Sequence, residues 1–62
     1  MFSLRLAREH KGLTLLEVAK ATSVSEGYMS LIETGQRRPS VDLAKRIAAV
    51  LDFDWTLFFE KK

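Results

Sequence analysis

The four residues "TSVS", at positions 22–25, are the whole connection between two segments of helical periodicity. A connection this short excludes an ordinary antiparallel hairpin with a wide loop, and it forces the two helices to cross steeply. A steep crossing requires a small residue where the helices touch and an apolar side chain that fills the turn. The chain has Ala19 and Val24 at those positions. We therefore predict that residues 26–31, at the start of the helix after this connection, face outward, apart from Met29, which faces the core.

Capping signals divide the chain into five short helices, and no segment alternates as a strand does. Thr14 and Glu17 have the spacing of a capping box, which starts helix 2. Ser25, Ser40 and Asp54 have the side chains that N-cap positions favour, and they start helices 3, 4 and 5. The predicted bounds are residues 3–11 for helix 1, about 15–34 for the pair formed by helices 2 and 3, and 55–60 for the closing helix.

Apolar residues recur at helical spacing in every segment, which predicts one all-α domain over residues 1–62. A chain of 62 residues buries only about 60% of its unfolded surface, so most of its apolar residues are needed in the core. The predicted core consists of Leu4, Ala7, Val18, Ala19, Thr22, Met29, Ile32, Leu43, Ala44, Ile47, Ala48 and Leu51, closed by Phe53, Phe58 and Phe59.

The composition excludes several classes of protein. There is no cysteine, and His10 is the only histidine, so we expect no disulfide, no metal site and no cofactor. No apolar run approaches the roughly 20 residues of a membrane span, and the N-terminus lacks a signal-peptide core. No arrangement of nucleophile, base and orienting group is present, so we expect no enzyme. These observations favour a cytoplasmic protein.

The charge balance alone says little about a partner. The net charge is +2, and the terminal Lys61 and Lys62 supply two of the ten positive charges. The remaining sixty residues therefore carry eight charges of each sign. The position of the arginines is more informative than their number.

An ordered set of short motifs extends over nearly the whole chain: "GLT" at 12–14, "EVA" at 17–19, "VS" at 24–25, Tyr28, "IETG" at 32–35, "RRPS" at 37–40 and the closing "FDWTLFF". This set resembles the helix-turn-helix of the phage repressor and Cro-like proteins, the XRE family. The resemblance implies a five-helix, lambda-repressor-like DNA-binding domain whose helix-turn-helix is formed by helices 2 and 3. In that family the third helix enters the major groove.

The resemblance also assigns roles to individual residues. It implies a structural ion pair between Arg8 and Glu33. The base-facing positions that it implies are Glu26, Gly27, Ser30 and Leu31. The phosphate-facing positions that it implies are Leu15, Gln36, Arg37 and Arg38, although the two arginines also fit a solvated loop. Two further candidates for phosphate contact are Ser25, which also fits an N-cap, and Tyr28, which also fits a half-buried position.

Three residues depart from the family pattern. Leu15 stands where the family commonly has a glutamine that contacts phosphate, Ser23 stands where a turn glycine is common, and Leu31 stands where a polar residue is usual. Two interpretations of Glu26 stay open: it accepts a hydrogen bond from cytosine, or it is an acid favoured by the helix dipole. Leu31 either contacts a thymine methyl group, belongs to a protein-binding patch, or is an isolated surface leucine.

These features predict a sequence-specific regulator that binds double-stranded DNA. The function we favour is a repressor of phage or mobile-element type, associated with the nucleoid and bound to its operator as a homodimer. Trp55 and Leu57 are candidates for self-association, although Trp55 fits the core equally well. The alternative is a protein-binding module on the same fold, an antirepressor or co-regulator. It would use an apolar surface formed by Leu15, Leu16 and Leu31.

Overall fold

The structure, a computed structural model, describes residues 2–60; Met1 and the two charges of Lys61 and Lys62 lie outside this range. Four α-helices follow one another, and a short 3-10 helix closes the chain; residues 2–60 contain no strand. None of these helices is long and apolar enough to cross a membrane. The all-α prediction is confirmed. The bounds are α1 Leu4–His10, α2 Leu15–Ala21, α3 Glu26–Glu33, α4 Val41–Leu51 and the 3-10 helix Trp55–Phe59.

Each α-helix begins where a hydroxyl side chain caps its first turn. Ser3, Thr14, Ser25 and Ser40 each accept a hydrogen bond from the amide three residues later. At Thr14 the capping box is complete, because the Glu17 carboxylate accepts in return from the Thr14 amide at 2.7 Å. The first helix is shorter by one residue at each end than the predicted 3–11, since those two end residues are its caps.

The closing helix is a 3-10 helix and not an α-helix, and it ends one residue before the predicted residue 60. The Asp54 carboxylate accepts from both the amide and the hydroxyl of Thr56, at 3.0 and 2.8 Å. The amide of Leu57 donates to the Asp54 carbonyl at 3.0 Å. This bond spans three residues, as in the tighter 3-10 geometry.

The turn between α2 and α3 is held by backbone and side-chain hydrogen bonds. Ser23 has a φ of +63°, the left-handed conformation for which glycine is common in this family. A serine pays roughly 1 kcal/mol for it. The Val24 amide donates to the Ala19 carbonyl at 3.0 Å, and the buried Thr22 hydroxyl donates to the Val18 carbonyl at 2.8 Å. Val24 packs against the core, as predicted from its place in the turn.

The predicted core residues on α2, α3 and α4 are buried, and Leu4 joins them from α1. The aromatic closure differs from the prediction. Phe2, Phe53 and Phe58 form one cluster with ring centroids 4.6 to 5.5 Å apart. Phe59 contacts only the edge of this cluster, with its ring centroid 6.4 Å from that of Phe58, and its other neighbours are Trp55 and Arg38. Phe2 was not predicted because it precedes the first helix and has no periodic partner in the sequence.

Candidate nucleic-acid interface

The outward face of α3 is set by what the helix buries. Met29 and Ile32 are almost completely inaccessible, and Tyr28 packs partly against the core. The Ser25 hydroxyl accepts from the Tyr28 amide at 3.1 Å and fixes the start of the helix. Ser25 therefore acts as an N-cap. The side of α3 opposite Met29 and Ile32 faces solvent.

The residues that the sequence assigned to base contact share that outer side, and we call them the base-facing surface: Glu26, Gly27, Ser30 and Leu31. Glu26 and Gly27 are exposed, while Ser30 and Leu31 are half-buried. Within residues 2–60, Glu26 forms no ion pair, so its carboxylate is available to an external donor. The surface has few hydrogen-bonding groups, because only the carboxylate and the Ser30 hydroxyl supply any.

Gly27 has no structural reason to be a glycine. Gly12 and Gly35 have φ angles of +72° and +86°, which L side chains rarely adopt. Gly27 instead lies in the first turn of α3, and a Cβ added there meets nothing within 4 Å. Relative to alanine, a helical glycine destabilises by about 0.5–1 kcal/mol. The fold therefore gives up stability at this position without a gain in packing or backbone geometry.

The loop of residues 36–38, which the family resemblance assigns to phosphate contact, follows α3. The amides of Gln36 and Arg37 both donate to the Leu31 carbonyl, at 2.9 and 3.1 Å, and the buried Pro39 ends the loop. The side chains of all three loop residues are exposed, and within residues 2–60 neither arginine pairs with a carboxylate. The loop thus has a fixed backbone and available guanidinium groups.

Two cations lie over aromatic rings beside this loop. The Arg38 guanidinium carbon is 5.9 Å from the centroid of Phe59, and the Lys45 ammonium is 5.1 Å from that of Trp55. The two rings are themselves 6.1 Å apart, edge to face. Arg38 is therefore exposed but not freely placed. No local sequence pattern predicts the contact between Arg38 and Phe59, because the two residues are 21 positions apart.

Arg8 and Glu33 are brought together as the resemblance implied. Two nitrogens of Arg8 donate to the two carboxylate oxygens of Glu33 at 2.9 and 3.3 Å, and a third donates to the Leu13 carbonyl at 2.9 Å. Their side chains are only 14% and 16% exposed. The bonds to Glu33 raise the pKa of Arg8 above its ordinary value. The pair ties α1 to the end of α3.

The residues of the proposed protein-binding surface differ in exposure. Leu16 is 43% exposed, whereas Leu15 packs partly against the core and Leu31 is half-buried. Trp55 and Leu57, the candidates for self-association, are also half-buried. Among residues 2–60, the most exposed large apolar side chain is Leu6 of α1, at 66%, which was not among the residues predicted to bind a partner.

The described part of the chain contains no group of three or more side chains that could hold a metal ion.

A family model described as "Helix-turn-helix" matches residues 4–58. The chain is 49% identical over 57 residues to the uncharacterized HTH-type transcriptional regulator YqaF of Bacillus subtilis (92% of this chain, 75% of YqaF). It is 36% identical to the HTH-type transcriptional regulator SlrR of the same organism (92% of this chain, 38% of SlrR).

A solved structure is similar as well. The N-terminal DNA binding domain of SinR from Bacillus subtilis superposes with a TM-score of 0.81 at 30% identity, covering 95% of this chain and 87% of that domain. The chain therefore belongs to the XRE-type helix-turn-helix family, whose members are DNA-binding transcriptional regulators and not enzymes.

Proposed function

We propose that this chain is a sequence-specific repressor that binds an operator in double-stranded DNA as a homodimer. The phage-repressor resemblance extends the proposal to a phage or mobile-element origin and to a place on the nucleoid in the cytoplasm. One observation carries it: α3 begins with the exposed Glu26 and Gly27, and the loop after the same helix holds two exposed arginines that pair with no carboxylate of residues 2–60.

The start of α3 and the two loop arginines have different functions on DNA. The N-terminal residues of the second helix of such a motif contact base edges. Arg37 and Arg38 contact phosphates, which fix register but carry no sequence information. The further proposed phosphate contacts are Ser25 at the start of α3, Tyr28 in its first turn and Gln36 in the loop after it.

The base-facing surface restricts what can be recognised. The Glu26 carboxylate accepts from the exocyclic amine of cytosine, and the Ser30 hydroxyl bonds a donor or an acceptor. The helix dipole also stabilises the Glu26 carboxylate at the start of α3, and this interaction is compatible with a contact to cytosine. Leu31 makes apolar contact with a thymine methyl group.

A single module of this size buries little DNA, so one copy alone binds weakly. Two copies on half-sites about one helical turn apart supply the missing affinity. Trp55 and Leu57 on the closing 3-10 helix are the proposed self-association residues, because each leaves part of an apolar side chain accessible.

The salt dependence of DNA binding tests the proposal. A duplex selected by the protein from a random-sequence library is titrated by fluorescence anisotropy at several salt concentrations. Affinity falls steeply with salt, and Arg37→Ala or Arg38→Ala each lowers the slope of log K against log salt by about one. Arg46→Ala is the matched control: Arg46 pairs with Asp42 on α4 at 2.8 Å, and its removal leaves the slope unchanged.

Equal slopes for all four proteins would contradict the phosphate assignment. If the protein selected no duplex at all, DNA binding itself would be wrong. The second candidate, a protein-binding antirepressor or co-regulator, would then be favoured by the exposed Leu16. It has less support than DNA binding, because Leu15 and Leu31 of the same predicted surface are only partly accessible.

A further inference from the structure

The absence of a side chain at Gly27 is itself a structural feature. The backbone there is helical, and the space where a Cβ would lie is open. Neither a positive φ nor crowding within the protein requires glycine. The remaining physical use of a glycine is to let another molecule approach the backbone closely.

Leu31 lies next to this open space. Residues four apart share a face of a helix, and helical side chains lean toward the N-terminus, so Leu31 leans toward the turn that contains Gly27. Even so, no side-chain atom comes within 4 Å of the position of the missing Cβ. The bare backbone of Gly27 and the apolar side chain of Leu31 therefore lie on the same outer face of α3, and we call the open space over Gly27 the Gly27 notch.

The chemistry of the notch selects its occupant. Neither of its two residues has a side-chain hydrogen-bond donor or acceptor, so a polar group placed there would lose water without gaining a partner. On the major-groove edges of the bases, the only apolar group is the C5-methyl of thymine. Resting on the DNA-binding function proposed above, we propose that the Gly27 notch receives one thymine methyl group in each half-site. Gly27 is then a specificity-determining residue that acts through the room it leaves.

Replacing thymine by deoxyuridine removes only that methyl group, so it tests the proposal directly. In the library-selected duplex, the thymines are replaced one at a time. For the unmodified protein, one replacement per half-site lowers the affinity about fourfold, the value of burying one methyl group. Replacement of thymines outside the half-sites has no effect.

Gly27→Ala then places a protein methyl group where the DNA methyl would lie. The variant binds the thymine duplex about tenfold more weakly, because the site is overpacked. Gly27→Ala recovers most of the lost affinity on the duplex that has deoxyuridine at the identified position. Its melting temperature rises by about 2 to 8 °C, which shows that the loss of binding is not a loss of folding. Ala49→Gly removes a methyl group from the exposed side of α4; it lowers the melting temperature but leaves both affinities unchanged.

Two results would overturn the inference while DNA binding stands. The first is a Gly27→Ala protein that binds the thymine duplex as tightly as the unmodified protein does. The second is an equal loss of affinity on the thymine and deoxyuridine duplexes. Failure to select any duplex would instead remove the function on which the inference rests.

Discussion

Arg8 and the pair Arg37–Arg38 show two uses of the same side chain. Arg8 is mostly buried, and three of its nitrogens donate hydrogen bonds to the Glu33 carboxylate and the Leu13 carbonyl. The two loop arginines are exposed and pair with no carboxylate of residues 2–60. The first arginine holds α3 in place, and the other two are available to a ligand. Substitutions should therefore separate stability from DNA affinity.

The largest expected effect is on stability, at Arg8. Arg8→Ala leaves the partly buried Glu33 carboxylate without its partner, which destabilises the fold by about 2 kcal/mol. The melting temperature should fall by roughly 8 to 16 °C, measured by circular dichroism. Arg5→Ala on the same helix is the control, because its pair with Glu9 is largely exposed and contributes under about 0.5 kcal/mol.

The double variant Arg8→Ala/Glu33→Ala should be less destabilised than the sum of the two single variants, since no carboxylate is then left unpaired. If Arg8→Ala were no worse than Arg5→Ala, the comparison between the arginines would fail.

A smaller effect is expected at Phe59. Its ring contacts the Arg38 guanidinium, so the Arg38 side chain is less constrained than that of Arg8 and more constrained than that of Arg37. An exposed cation–π contact contributes about 0.5–1 kcal/mol. Phe59→Leu keeps an apolar side chain but removes the ring face, so Arg38 loses its fixed position and duplex affinity falls about twofold to threefold. In an Arg38→Ala background the same change should have no effect on anisotropy titrations. Tighter binding by Phe59→Leu would mean that the ring competes with phosphate.

The smallest expected effect concerns acid stability. Hydrogen bonds from the Thr14 amide to Glu17, and from the Thr56 amide to Asp54, lower the pKa of each carboxyl. Because the folded-state pKa is lowered, the stabilisation is complete above the unfolded value, near 4, and is lost as the pH falls through the folded value. Glu17→Gln keeps the capping box without a titrating group, so its melting temperature should fall less on acidification.

Melting curves from about pH 6 to about pH 2.5, across the carboxyl range, measure this difference, and Asp54→Asn should behave in the same way. An acid limb identical to that of the unmodified protein would contradict the assignment to these carboxylates.

Local features of the fold were predictable from sequence, whereas contacts between distant residues were not. Thr14, Ser25 and Ser40 announce their helices because a cap depends only on residues three positions away. The contacts of Phe2 with Phe53, and of Arg38 with Phe59, join elements far apart in the chain and have no local signal. The 3-10 form of the closing helix was missed for a related reason, since its length and cap also suit an α-helix.

The base-facing positions came from the family resemblance, and their exposure came from the structure. Helical periodicity alone identified Met29 and Ile32 as inward-facing, which leaves the opposite side outward. It gave no indication that Leu15 packs inward while Leu16 does not, because two adjacent leucines at a helix start fit either arrangement. The open space around Gly27 could not be predicted from sequence, because a glycine that a turn requires and one that it does not require are the same residue type.

The aromatic cluster places the two ends of the described chain side by side, since the rings of Phe2 and Phe58 are 5.3 Å apart. A substitution in this cluster, such as Phe58→Ala, would therefore loosen both ends of the described chain at once.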